Sequence, residues 1–253
     1  MKITFLGTGT SQGIPVIGCN HEVCMSDDLK DKRLRSSVLV EWDEYAFVID
    51  CGPDFRQQML RAGVSKLDGI IFTHNHADHT AGLDDTRPFT NKNGLLPIYA
   101  KEDVIVDLKA RFNYIFTTKN KYLGAPELEI QLIDNRPFFI KNLEIIPIEV
   151  EHGKLKIFGF RFKRIAYITD ANYITEKELE KMYDLDVLII NALRNEPHPT
   201  HFNLLEALKI IKKVKPKKAY LTHISHKLGF HAEVSKLLPK NVFLAYDGLV
   251  LGK

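Results

Sequence analysis

No apolar run in this sequence reaches the roughly 18 residues that a bilayer-spanning helix needs. Cysteine is scarce: Cys19, Cys24 and Cys51 are all there is. An odd number without a secretory signal argues against a disulfide framework. Low-complexity segments, solenoid-type repeats and long linkers are missing too, which sets aside disordered and repeat classes. An excess of one charge is also lacking. With 35 basic and 32 acidic residues, the formal net charge of +3 is too small to point to nucleic acid. The basic run KIIKKVKPKK (209–218) reads as the wet face of a helix. The opening, MKITFLGTGTSQG, is too short in its apolar part for a signal peptide and reads as a strand entering a glycine loop. The expectation is a cytoplasmic enzyme with one domain over residues 1–253, long enough for a sizeable core.

Strand patterns are plentiful. KITFLG, SSVLVEW and AFVIDCG open the chain, with DEY as a turn between the last two. PDFRQQMLRAG reads as a helix with Pro53 in its first turn and Gly63 closing it. LDGIIFTH is a buried strand, and DHTAGLDD starts the next helix. After a helical stretch near 101–116 come LEIQLI, FFIKNLEIIPIEVEHG and IFGFRFKRIAYITD, two of them folded through KN and KR turns. TEKELEKMY and HFNLLEALKIIKKV are helices, DVLIINAL and KAYLTHIS strands, and a short hairpin around YDG ends the chain. Two β-rich halves, each with helices, predict an α+β protein of two packed sheets with helices outside.

THNHADH (73–79) crowds His74, His76, Asp78 and His79 just after a buried strand. Imidazole nitrogens and a carboxylate suit zinc, manganese or iron. Alternation along an extended segment lets His74, His76 and Asp78 project to one side, and His79 joins them if the chain turns into a helix. One ion cannot easily use all four, so two metals are indicated. His152 after EVE, Asp170 ending YITD and His223 ending YLTH repeat one pattern of apolar strand, ligand-type residue, then loop. Singly, each also reads as an ordinary turn residue.

HNHADH matches the HxHxDH signature of the metallo-β-lactamase superfamily, and the separate His, Asp and His follow in that superfamily's order. The resemblance covers essentially the whole chain. It implies a four-layer αβ/βα sandwich of two mixed sheets, with His74, His76 and His152 on one ion, Asp78, His79 and His223 on the other, and Asp170 bridging. Two such ions share a water, lower its pKa towards neutrality and neutralise anionic oxygens, which suits attack on a phosphodiester. His198 and His201, before the helix of HFNLLEAL, are candidate proton donors. His201 resembles the histidine that related phosphodiesterases place beside the metals and is the better candidate for protonating the leaving oxygen.

GCNHEVCMS carries Cys19, His21 and Cys24, and THISHK offers His226. Close cysteines in a cytosolic chain point to structural zinc more than to a disulfide. Together with the GTG..QG.P..GC opening, this resembles the phosphoribosyl cyclic phosphodiesterases of the PhnP type, which usually have cysteine where this chain has His21. That resemblance implies a small cyclic phosphodiester substrate, with a five-membered ribosyl 1,2-cyclic phosphate as the best candidate. It also implies Mn2+ or Zn2+ at the dinuclear centre, one structural Zn2+, and a homodimer. Arg56, Arg87 and Lys227 read either as anion contacts or as solvated charges.

Rival readings are a tRNA 3′-processing endonuclease, for which no long basic arm is visible, a glyoxalase-type thioesterase, and a non-enzymatic binding module. Cys51 reads as a buried apolar residue. Asp50 reads as a partner that orients ligating imidazoles. Gly7, Gly9 and Gly13 let the first loop turn tightly.

Overall fold

A computed structural model describes residues 1–117 and 122–252, the side chains of 91–93 excepted. By internal contacts the chain divides into two compact units, neither continuous in sequence. The first takes Met1–Gly7, Ser37–Asp134 and Gly248–Lys253, and the second Thr8–Ser36 and Asn135–Asp247.

The first unit is built on a seven-stranded mixed sheet. Its strands are β1 (Lys2–Gly7), β2 (Ser37–Trp42), β3 (Tyr45–Ile49), β4 (Gly69–Ile71), β5 (Leu96–Ala100), β6 (Leu128–Leu132) and the chain's last strand, β14 (Val250–Leu251). Spatial order is β14-β1-β2-β3-β4-β5-β6. The β2–β3 hairpin turns at Asp43, whose φ of 49° lies in the left-handed region. From β3 to β6 the strands run parallel, so the loops leaving β3 and β4 emerge at one edge. Phe55, Met59, Ile70, Phe72, Leu83 and Leu108 are among the buried side chains that pack the helices onto this sheet. The helix after β3 spans Phe55–Ala62 and is closed by Gly63 at φ 66°. Pro53 lies outside it: the first helical residue is Phe55, with Asp54 at the N-cap.

The second unit holds β7 (Phe138–Ile140), β8 (Leu143–His152), β9 (Leu155–Phe162), β10 (Ile165–Ile168), β11 (Val187–Asn191), β12 (Lys218–Thr222) and β13 (Val242–Leu244). They follow one another across its sheet in chain order. The KN and KR turns are present, with Lys141 and Lys163 at φ 55° and 52°. β8 and β10 are each antiparallel to β9, and β10 to β13 are parallel, so the C-terminal ends of β8, β10, β11 and β12 share one edge. The helix Leu204–Val214 is set by its own sequence. Asn203 and Glu206 form a reciprocal capping box, Ala207, Ile211 and Val214 face the core, and Lys209, Lys212 and Lys213 face solvent.

No hairpin ends the chain. β13 pairs with β12 in the second unit, and β14 pairs with β1 in the first. β5 and the helix Arg87–Asn93 go beyond the sequence-based expectation, as does the helix His231–Leu237. No helix among the described residues is long and apolar enough to cross a membrane.

Candidate metal centre

Each unit gathers its own ligand-type residues at a strand-end edge. In the first unit, β4 ends at Ile71, and three residues on the chain delivers His74. The following turn, Ala77–Thr80, carries Asp78 and His79. Ring centroids of His74 lie 4.6 Å from His76 and 4.3 Å from His79, and His79 Nε2 is 3.1 Å from Asp78 Oδ2. Asp50, left-handed at φ 64° just past β3, is fully buried. Its Oδ2 meets His79 Nδ1 at 2.7 Å and accepts from Thr73 Oγ1 at 2.9 Å, while Oδ1 accepts from Thr73 N at 2.8 Å. Burial pushes the Asp50 carboxyl up, against the pull of His79 and Thr73.

Two features that hold this loop have no motif in the sequence. Gly82 admits no side chain, because a Cβ there would fall 2.2 Å from Gly52 O; the residue's amide donates to Cys51 O, and Cys51 N donates to His79 O. Arg111 reaches back from the end of its helix to donate to Asn75 O and Thr80 Oγ1, both at 2.9 Å. Cys51 itself is buried, which pushes its thiol well up.

In the second unit, His152 ends β8, Asp170 lies two residues beyond β10, and His223 directly follows β12. Asp170 and His223 are left-handed at φ 58° and 53°, so the chain turns sharply where each side chain is presented. His152, Asp170 and His201 each offer a ligand atom within 4.8 Å of the others. Asp170 Oδ2 accepts from Thr169 Oγ1 at 2.6 Å and lies 3.2 Å from His223 Nδ1. Its Oδ1 is 3.0 Å from His201 Nε2. Thr200 O can only accept, so His152 Nδ1 at 2.8 Å carries the proton and Nε2 is the nitrogen that could hold a metal.

The same unit holds a further cluster. Cys19, Cys24 and His226 offer ligand atoms within 4.8 Å of one another. Both cysteines are free thiols, and His226 Nδ1 is buried without a hydrogen-bond partner. Two sulfurs and an imidazole are a zinc donor set, so these residues fit that metal. His21 lies beside the three, its backbone N–H donating to Cys19 Sγ at 3.4 Å, but its ring nitrogen is engaged elsewhere. Its ring is 5.0 Å from that of His226, and its Nδ1 accepts from Val23 N at 3.2 Å, capping the turn Glu22–Met25.

Gly9 and Gly13 both pack on Arg33, where a Cβ would lie 2.9 and 3.0 Å from its carbonyl oxygen. Arg87 is paired with Asp84, and with Arg56 it lines a cavity of about 430 Å³ whose walls do not include the histidine loop. Lys227 is exposed.

Residues 45–224 match the β-lactamase superfamily domain, and the chain belongs to that family. It is similar over 100% of its length to a solved diphosphatase of the PhnP family, at 42% identity and a TM-score of 0.93, with 97% of that chain covered. It is 38% identical over 98% of its length to an octanoyltransferase of Porphyromonas gingivalis, spanning about half (51%) of that protein. A ribonuclease Z of Listeria welshimeri is 26% identical over 98% of this chain and 97% of that one. That alignment runs over 311 positions, more than the 253 residues available here, so the ribonuclease carries segments without a counterpart.

Proposed function

We propose that this metal-dependent phosphodiester hydrolase acts on a small cyclic phosphodiester, with a ribosyl 1,2-cyclic phosphate as the leading candidate. The observation that carries the reading is His201 Nε2 facing Asp170 Oδ1 at 3.0 Å, a proton-bearing group beside a ligand-type carboxylate. His74, His76 and His152 would hold one ion, Asp78, His79 and His223 the other, with Asp170 shared, and Mn2+ and Zn2+ both suit this nitrogen and oxygen set. When bound, two such ions lower the pKa of a water and offset charge on the phosphoryl oxygens.

Everything else falls to the protein's own groups. Asp50 fixes His79, Thr200 O fixes His152, and His201 hands the proton at Nε2 to the departing oxygen. Cys19, Cys24 and His226 would hold a structural zinc, and His21 joins them only by giving up its cap. The PhnP-type resemblance also implies a homodimer, which sedimentation velocity checks.

The PhnP-family neighbour is a diphosphatase, and this favours a second reading in which a phosphoanhydride is cleaved. The ribonuclease relatives make RNA the third substrate class, and their extra segments argue for something smaller here. The test is a panel offered to Mn-loaded protein: ribosyl 1,2-cyclic phosphate, a 2′,3′-cyclic nucleotide, an aryl phosphodiester, a nucleoside diphosphate, a pre-tRNA and a glutathione thioester. The cyclic phosphates should turn over, and His201→Ala should slow them by about 10²- to 10⁴-fold with metal content unchanged. Turnover confined to the diphosphate, the pre-tRNA or the thioester overturns the leading reading, and loss of metal from His201→Ala removes His201 as proton donor.

A further inference from the structure

Asn191 ends the apolar run VLIIN of β11, and neither the ligand pattern nor the proposed chemistry gives it a task. It is fully buried on an inner strand whose other side chains are aliphatic. A primary amide in such a place is costly unless its polar atoms are matched. Both are. Asn191 Oδ1 accepts from Ala171 N at 2.9 Å, and Nδ2 donates to Ala171 O at 2.9 Å. The partners fix which end of the amide is which, since a backbone N–H only donates and a carbonyl only accepts.

Ala171 is the residue after Asp170. β10 pairs with β11 as far as Ile168, opposite Ile190, and the chain then leaves the sheet. Beyond that point the Asn191 side chain supplies what a neighbouring strand would supply with its backbone, a donor and an acceptor to one residue. The Ala171 N–H belongs to the peptide plane that follows Asp170. Holding it therefore fixes the far side of Asp170, whose φ of 58° is left-handed. That conformation is unfavourable for a residue with a Cβ, so a released chain relaxes away from it and swings the carboxylate with it.

The neighbouring anchors do not replace this clamp. Phe202 N also donates to Ala171 O, at 2.6 Å, and Asn172 N donates to Glu151 O at 2.8 Å. Neither holds Ala171 N, and without Asn191 that buried N–H loses the acceptor the structure gives it.

We infer that Asn191 is a positioning residue, which clamps Ala171 by both backbone groups and so sets the Asp170 carboxylate where two ions would share it. As a statement about metal, this rests on the dinuclear centre proposed above. Asn191 and Asp50 then differ in their reach. Asp50 bonds one imidazole and so bears on one ion, whereas a loosened Asp170 weakens both and uncouples them.

The test uses manganese-loaded protein, with affinities from equilibrium dialysis and coupling from electron paramagnetic resonance. The unmodified protein should hold two Mn2+ and show the exchange-coupled signal of a bridged pair. In Asn191→Leu, which fills the space without polar atoms, both ions should weaken by about 10- to 100-fold. The signal of isolated Mn2+ should replace the coupled one. Asn203→Ala removes a helix cap in the same unit and controls for general loosening; it should keep both ions and their coupling. Native affinity and coupling in Asn191→Leu overturn the inference, as does an equal loss in Asn203→Ala. Should the leucine variant not fold, hydrogen exchange in the unmodified, metal-free protein decides: the Ala171 amide should exchange slowly, and fast exchange in folded protein overturns the clamp. If the unmodified protein binds no coupled pair, the dinuclear centre fails and takes this inference with it, a result distinct from a native pair indifferent to Asn191.

Discussion

Replacing Asp50 by Asn separates shape from proton placement. The carboxylate is fully buried and makes three bonds, one to His79 Nδ1 and two to Thr73. Asn keeps the size, and its oxygen can still accept from Thr73 N. It also tolerates the left-handed backbone at position 50 (φ 64°). What changes is the face toward His79. The amide NH₂ is a donor, so His79 Nδ1 must accept, the imidazole proton moves to Nε2, and the nitrogen needed for a metal is blocked. Losing such a carboxylate partner costs roughly 10- to 100-fold in metal affinity, equivalent to about 1.4–2.7 kcal/mol. The assay is competition of metal-loaded protein against a chromophoric chelator, with metal-free protein melted in parallel. One of two metal equivalents should weaken by that factor in Asp50→Asn while the far-ultraviolet dichroism stays native. Equal affinities in the two proteins would refute the role given to Asp50.

Asn203→Ala breaks the capping box of the helix Leu204–Val214 and should cost about 1 kcal/mol. Calorimetry should find Tm lower by roughly 2–4 °C, and an unchanged Tm contradicts the cap. Cys24→Ser should strip one tightly held zinc per chain, measured by mass spectrometry of the metal; full retention removes the loop cluster as a zinc site. Buried His231 is 3.2 Å from the Arg33 guanidinium, and burial first, then Arg33, hold its pKa down at about 4 against the ordinary 6.5. Below 6.5 the unfolded chain binds a proton that the native state refuses, so stability falls as pH drops from about 6.5 to about 4. The loss from this group is at most about 3 kcal/mol. In urea titrations at pH 7 and 4.5, His231→Gln should lose less stability than the parent; an equal loss refutes the assignment.

The elements read correctly from sequence are those whose cause is local. Lys141 and Lys163 mark hairpins because two alternating runs meet there, and the Leu204–Val214 helix carries its own start signal in Asn203 and Glu206. β5 went unread because Pro97 interrupts its pattern, and proline argues against an inner strand; yet Pro97 sits in register with Glu129 of β6. Pro53 suggested a helix start that the chain delays to Phe55. The YDG segment looks like a hairpin because two short apolar runs flank it, but β14 finds its partner in β1 at the opposite end of the sequence. For the candidate metal ligands, residue type and spacing were all the sequence offered, and the structure brings Cys19, Cys24 and His226 within 4.8 Å of one another, as it does His152, Asp170 and His201. At His21 two signals compete, because imidazole beside two thiols suggests a ligand while the nearby Val23 amide donates to Nδ1 as a helix cap.

The histidines share a construction that residue spacing could not reveal. Nδ1 of His74 meets Thr73 Oγ1, that of His79 meets Asp50, that of His152 meets Thr200 O, and that of His223 lies near Thr169 Oγ1 and Asp170 Oδ2. In each of these four cases Nδ1 is engaged by a residue of the same unit, so ring orientation is settled without help from a metal, and Nε2 is the nitrogen that would coordinate an ion in the proposed centre. Rings held this way need little reorganisation when an ion arrives, so less of the binding energy is spent on ordering side chains. The proton acceptors differ in strength, however. Asp50 is a buried carboxylate, whereas Thr200 offers a neutral carbonyl. A histidine whose Nδ1–H is bound to a carboxylate is the more basic ligand. It follows that the ion held by His79 should be the last to leave on titration with a chelator, and that Asp50→Asn should reverse the order.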